Sequence, residues 1–410
     1  MVFRQKTSKL LRIIKNLIIV LVRSVYTVIK FIFQVLNQLG KYLAGKRLFV
    51  IVLLLLIIFG IVSLFILIPG THVFEGNLVV KEVSFTYNDQ QPKLFLQSVR
   101  RIKKLETEGI QTLTFTGKFT SQSSPKLNQL NTLKINLTDS QSKLIITPIN
   151  SPITSEIDLN ELRLQPNTKV EGLTYDFYRQ RIAFSLKPQA TPELDSQPNI
   201  LNLYLGEQPV KISLQGYKLP EVKLPEIQDS QTPLEFTLNP DIKELNLKIS
   251  QDNTIYLTAS ELPEDDEQWF RSKITTKDVI FERLERSGDI RDDLAISTII
   301  EGKVQMAEQE REIKQGQFLM AAKPDMPLDI RLIRHIQILP KKGLEVRFVG
   351  KTQQINIGLD KNFPVSSIKG SFLDGILPRD TIIAVFSFTA GMITSLLTYI
   401  IENASKPDSK

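Results

Sequence analysis

Cysteine is absent from the 410 residues, and histidine is limited to His72 and His335. The chain therefore forms no disulfide, thiolate nucleophile or cysteine-ligated zinc site, and sites built from two or three imidazoles are almost excluded. The P-loop, G-x-G-x-x-G, G-x-S-x-G and H-E-x-x-H patterns are missing as well, and Gly117-Lys118 lacks the upstream glycine of a P-loop. These absences point to a non-enzymatic protein with no cofactor and no metal site. Acidic residues are absent from residues 1–47, which hold ten basic ones, whereas the remainder carries 41 basic against 44 acidic. That split excludes a generally basic nucleic-acid binder and describes a basic arm on a near-neutral body. Long proline-free stretches are scarce between residues 70 and 380, where 19 prolines fall, so an extended helical architecture is excluded there.

Two long uncharged runs stand out against this background. Leu48 to Ile68 holds 21 residues, nineteen of them Leu, Ile, Val or Phe. At about 1.5 Å per residue this covers a hydrocarbon core of about 30 Å. Insertion is favourable by roughly 6 to 11 kcal/mol on a scale of about −0.3 to −0.6 kcal/mol per such residue. The run ends at Pro69-Gly70-Thr71-His72 without an A-x-A cleavage pattern, so residues 48–69 are expected to be a retained transmembrane helix rather than a signal peptide. Residues 381–401 form a second span, less apolar, with four Thr and two Ser. Ser387, Gly391 and Ser395 recur every four residues on one face, an arrangement that lets another helix approach closely, either in a second copy or in the 48–69 helix of the same chain. Two spans place both termini, including the 402–410 tail, on one side. The basic residues before Leu48 make that side cytoplasmic and put residues 70–380 outside the plasma (inner) membrane.

The arm itself, residues 1–47, reads as a long amphipathic helix. At about 100° per residue, Lys9, Arg12, Lys15, Arg23, Lys30 and Lys41 fall in one sector of roughly 120°. A basic stripe opposite an apolar face suits a bilayer surface with anionic lipids, the cations meeting lipid phosphates. Its rivals are a third span over residues 17–39, which would bury Arg23 and Lys30, and packing on a partner protein.

Between the spans the pattern is that of a mainly β, antiparallel, sandwich-like body. Thr132 to Thr138, Leu245 to Ser250 and Gln354 to Leu359 alternate apolar and polar residues as half-buried strands do. Leu173–Phe177 with Ile182–Leu186, and Leu344–Val349 with Ile355–Leu359, read as hairpins. Pro92 to Glu106 reads as a helix with Phe95, Val99 and Ile102 on one face, and its Arg100, Arg101, Lys103 and Lys104 form either a contact for anionic groups or a solvated face. Lys277 to Arg286 reads as a helix or a strand. The tandem Lys218-Leu-Pro-Glu221 and Lys223-Leu-Pro-Glu226 suggests a linker over 219–229 dividing subdomains at 75–218 and 230–376.

Chemistry-bearing clusters are sparse in this body. His335 falls on the polar face of a strand beside Arg331 and Gln337, and His72 falls just outside the first span. The acidic runs at Glu261–Glu267 and Asp289–Asp293 lack EF-hand spacing and read as solvated loops. Trp269, Tyr175, Phe177 and Tyr178 read as core or sandwich-edge residues.

The layout of cytoplasmic N-terminus, span, large external region and span near the C-terminus resembles the polysaccharide co-polymerases of bacterial envelopes, although their long external helices and proline-rich approach to the second span are lacking. The stretch Thr298 to Ala307, followed by Ile313 to Ala321, is similar in spacing to the G-x-V strands of envelope β-folds that carry lipids or sense signals. Both likenesses are generic and assign no site. The two anchors and the absence of catalytic motifs lead instead to the expectation of an extracytoplasmic body that binds or scaffolds cell-envelope components, or else belongs to lipid or polysaccharide transport and assembly.

Overall fold

The computed structural model describes residues 47–150, 155–188, 197–220, 233–261, 268–285, 294–323 and 326–404. The arm residues Lys9, Arg12, Lys15, Arg23, Lys30 and Lys41 lie outside them, as does most of the expected linker. The chain divides into two compact units: the terminal segments up to Ile68 and from Ser371, and the body Pro69–Gly370.

The terminal unit is a pair of helices, α1 (Arg47–Leu67) and α2 (Arg379–Ala404). They run antiparallel: Phe59 stacks on Phe386 with ring centroids 4.4 Å apart, Phe65 meets Phe372, and Phe372 N donates to Ile68 O. The face of α2 turned inward is Ile382, Phe386, Thr389, Ile393 and Leu396, spaced four and three apart as helix packing requires. Ser387, Gly391 and Ser395 are all exposed, and a Cβ built on Gly391 meets nothing within 4 Å. The small-residue face is therefore not the one that packs on α1, because the larger side chains give more contact along the neighbouring stripe. Among the described residues no helix is long and apolar enough to cross a membrane.

The body is antiparallel throughout. One large sheet has the spatial order Ile274–Ile280, Glu82–Tyr87, Lys169–Asp176, Arg181–Lys187, Asn253–Ala259, Ile102–Gly109, Lys143–Pro148, Val210–Gln215 and Leu234–Pro240. Facing it are Lys93–Val99, Asp158–Leu164, Asn199–Tyr204, Glu244–Ile249, Gln111–Thr120, Thr132–Leu137 and Tyr217–Lys218. The chain passes repeatedly from one sheet to the other. Phe95 of the second sheet meets Phe85 and Phe184 of the first at 5.9 Å, so the two inner faces share one core. A third sheet runs Gln309–Ile313, Ile299–Met306, His72–Val80, Gly343–Thr352 and Ile330–Leu339, and joins the first through Ile274–Ile280.

The alternating segments fold as expected: Thr132–Leu137, Glu244–Ile249 and Gln354–Gly358 are strands, and Lys169–Asp176 with Arg181–Lys187 is a hairpin. Three expectations are corrected. Pro92 to Glu106 is two strands, Lys93–Val99 and Ile102–Gly109, because the chain changes sheets at Arg100-Arg101, where Arg101 takes a φ of 54°. Its basic residues have side-chain partners: Arg101 pairs with Glu261, Lys103 donates to Gln180 and Lys104 pairs with Glu106. Of the two readings of Lys277 to Arg286 the strand is the one found, since Ile274–Ile280 and Glu282–Glu285 are strands, with Arg286 outside the described residues. Gly343–Thr352 and Gln354–Gly358 are adjacent strands that do not pair. The first lies between His72–Val80 and Ile330–Leu339, the second between Phe318–Met320 and Ser366–Lys369. Finally, 219–229 does not separate two sheets, because Val210–Gln215 pairs with Leu234–Pro240 across it and Pro69–Gly370 is one compact unit.

Within the first sheet Glu82 is half-buried, and burial pushes its carboxyl above the ordinary value of 4.5, with Arg283 opposing and Glu171 reinforcing the shift. The folded state thus binds this proton more tightly than the unfolded chain, so the penalty is absent below the unfolded pKa and fully present once pH exceeds the raised folded one. Glu82→Gln is expected to raise the urea midpoint at pH 7, with the gain shrinking to nothing as pH falls below about 4.5. A midpoint that drops at pH 7 would show that Arg283 outweighs burial.

Candidate cleft between two strands

The strand Gln111–Thr120 belongs to both sheets. Its C-terminal half pairs with Leu234–Pro240, through Gly117 opposite Pro240, and its N-terminal half faces Glu244–Ile249. Only one rung joins that second pair, Thr112 opposite Lys248. From Gly117 back to Thr112 is five residues, whereas from Pro240 on to Lys248 is eight. Three surplus residues on one side force the strands to part and rejoin. The parting is closed at one end by the Thr112–Lys248 rung and at the other by Thr116 O, which accepts from Asp241 N at 3.1 Å. Four residue steps along the strand separate the two ends, giving an opening about 13 Å long.

Alternation fixes what faces the opening. Gly117 N donates away from it to Asn131 O, and Leu205 N takes Lys243 O on the far side of the other strand. The N–H and C=O groups of Thr114, Glu244 and Asn246 therefore point into the gap, with no rung opposite them. The side chains of Thr112, Thr114, Glu244, Asn246 and Lys248 are exposed around it, and Leu113, Phe115, Leu205 and Leu245 are buried at its floor. The resulting cleft has a volume of about 620 Å³, within the roughly 300–1,000 Å³ common for small-molecule sites.

Two polar features converge on it. Across the outer face runs a row of amides: Asn160 Nδ2 donates to Asn202 Oδ1 at 2.7 Å, and Asn202 Nδ2 to Asn246 Oδ1 at 2.8 Å. The carbonyls of Asn202 and Asn246 both accept from the preceding amide, which leaves Asn246 Nδ2 as the donor at the lip of the cleft. Beneath, Gln111 is 3% exposed; its Nε2 donates to Thr107 Oγ1, while its Oε1 is buried with no partner. An orphaned acceptor of this kind costs about 1–3 kcal/mol.

The sequence reading did not single out this cleft. Thr112, Thr114 and Thr116 look like an ordinary solvated strand face, and the surplus of three residues is visible only once the strands are known to be neighbours. The residues it did single out lie elsewhere. His335 is half-exposed beside Gln337, at 3.2 Å. Trp269 and Tyr175 are in the core, while Tyr178 stands 96% exposed in a hairpin turn. Among the described residues no group of three His, Cys, Asp or Glu side chains could hold a metal ion. Comparison with protein-family models, with curated proteins and with solved structures finds no match.

Proposed function

We propose that the chain is a non-enzymatic, membrane-tethered binding protein: α1 and α2 anchor it in the plasma (inner) membrane, and the β-body outside binds or scaffolds envelope components. The observation that carries the anchoring is the outward surface of the helix pair. Leu56, Ile58, Leu64, Ile383, Val385 and Phe388 are all exposed, and so large an apolar surface is stable in lipid and a liability in water. The helix hydroxyls support this. Ser63, Thr389, Thr394 and Thr398 each donate to the carbonyl four residues earlier, which is how hydroxyls are satisfied where no water reaches. The ends of the body suit a double tether, since Gly70 N donates to Gly370 O at 2.9 Å and the chain enters and leaves side by side. One core, continuous from Phe74 to Ile368, fills the body, which favours binding at its surface over carriage of a lipid along its length.

The basic arm adds contact with anionic lipid in this reading. A second copy is a further candidate partner, through the exposed Ser387, Gly391 and Ser395 face.

Membranes carrying the full chain are expected to retain it through alkaline carbonate extraction. Trypsin added to right-side-out vesicles should cut at Arg179, in the exposed turn, while tags on both termini stay intact. Release by carbonate would remove the anchoring, and cleaved tags with an intact Arg179 turn would reverse the orientation.

A further inference from the structure

We propose that the cleft between Gln111–Thr120 and Glu244–Ile249 binds a short stretch of a neutral glycan. The inference rests on the reading of the body as a binding module and names its ligand class. The lining carries only two charged side chains, Glu244 and Lys248, of opposite sign, so nothing in it selects an ion. What it offers instead is a high density of hydrogen-bonding groups of both kinds. Donors come from Asn246 Nδ2, Lys248 and the strand N–H groups, and acceptors from Glu244 and the strand carbonyls. The hydroxyls of Thr112, Thr114 and Thr116 serve as either.

A sugar ring presents the complementary surface, since each hydroxyl both donates and accepts and adjacent hydroxyls span a carboxylate or an amide. Its C–H face matches the apolar component of the lining, which includes Ile110, Ile242 and Leu245. An extended peptide is the competing occupant, because open strand edges accept added strands. The opening is closed at both ends within four residues of Gln111–Thr120, however, so an added strand would have to enter and leave from the outer face within that length. A compact ring needs no such run.

The test uses the full chain in lipid nanodiscs and saturation-transfer NMR with cellobiose, maltose and N,N′-diacetylchitobiose, together with a Thr-Val hexapeptide. At least one disaccharide is expected to give transfer. The double variant Thr114→Val, Asn246→Leu should weaken it tenfold or more, whereas Tyr178→Ala, on a distant turn, should leave it unchanged. Both cleft side chains are exposed, so the double variant should keep the wild-type circular dichroism and melting temperature. Saccharide binding that survives in the folded double variant would overturn the cleft assignment and keep the binding reading. Transfer to the hexapeptide alone, lost in the double variant, would replace the glycan with a peptide. No transfer to any probe would overturn the proposal and leave the anchoring, tested separately by extraction and proteolysis, untouched.

Discussion

Replacing Phe95 with alanine is expected to lower the unfolding free energy by about 5 kcal/mol or more, enough to leave a large unfolded fraction at 37 °C. Phe95 has no exposed surface and its ring meets three others: Phe85 and Phe184 at 5.9 Å and Phe270 at 5.5 Å. Deleting a buried phenylalanine costs about 3–5 kcal/mol for transfer and cavity together. Each well-placed ring pair adds about 0.5–1.5 kcal/mol beyond its area. Because Phe85 and Phe184 belong to one sheet and Phe95 to the other, the cavity opens in the layer that joins them, where neither sheet can collapse without moving its ladder. Urea unfolding in nanodiscs, followed by the fluorescence of Trp269, reads the effect directly. Tyr178→Ala, on the exposed turn, should shift stability by no more than about 0.5 kcal/mol. A Phe95 variant within about 1 kcal/mol of wild type would mean that the sheets are not held together through this cluster.

Gly117→Ala should be nearly as damaging, for a different reason. Gly117 has a φ of 154° and its Cα faces the opposite strand so closely that a Cβ would lie 2.2 Å from Asn239 O. The obstacle is backbone, so no rotamer change relieves it. An unfavourable φ costs about 1–3 kcal/mol, and forcing an extra carbon into a packed site another 1–3. A loss of about 3–5 kcal/mol is therefore expected in the same unfolding experiment. Gly316→Ala separates the two terms, because Gly316 also has a positive φ, 79°, but open space around it. It should cost only the conformational part, about 1–2 kcal/mol. Equal losses in the two variants would show that the contact at Asn239 is not what requires glycine at position 117.

What the sequence reveals divides along the range of the interactions involved. Alternation is local, and it places the strands at 132–137, 244–249 and 354–358 and the hairpin around Tyr178. It misleads at Pro92 to Glu106 because Phe95 and Leu96 are both buried where the register shifts between Leu94 and Leu96. Phe95, Val99 and Ile102 then mimic a helical spacing although they lie on two strands. Pairing is not local, and nothing in Gly343–Thr352 announces that its neighbours are His72–Val80 and Ile330–Leu339 rather than Gln354–Gly358. The cleft is a further step removed, since it arises from a difference in length between two paired segments. The stripe at Ser387, Gly391 and Ser395 is readable as a face of α2, but which face meets α1 depends on the bulk of Phe59 and Phe386, which a pattern of small residues cannot express.

The placement of His72–Val80 sets a timetable for the body. This strand lies in the centre of its sheet, between Ile299–Met306 and Gly343–Thr352, so its paired residues are synthesised roughly 220 to 280 residues after it. At about 5–20 residues per second that is a wait of roughly 10 to 50 s. Throughout it, Phe74, Leu78 and Val80, which end with no exposed surface, have no native partner on either flank. The central strand of the third sheet thus stays incomplete until Gly343–Thr352 is made, and a nascent chain that stops short of that segment presents it as an unpaired apolar edge.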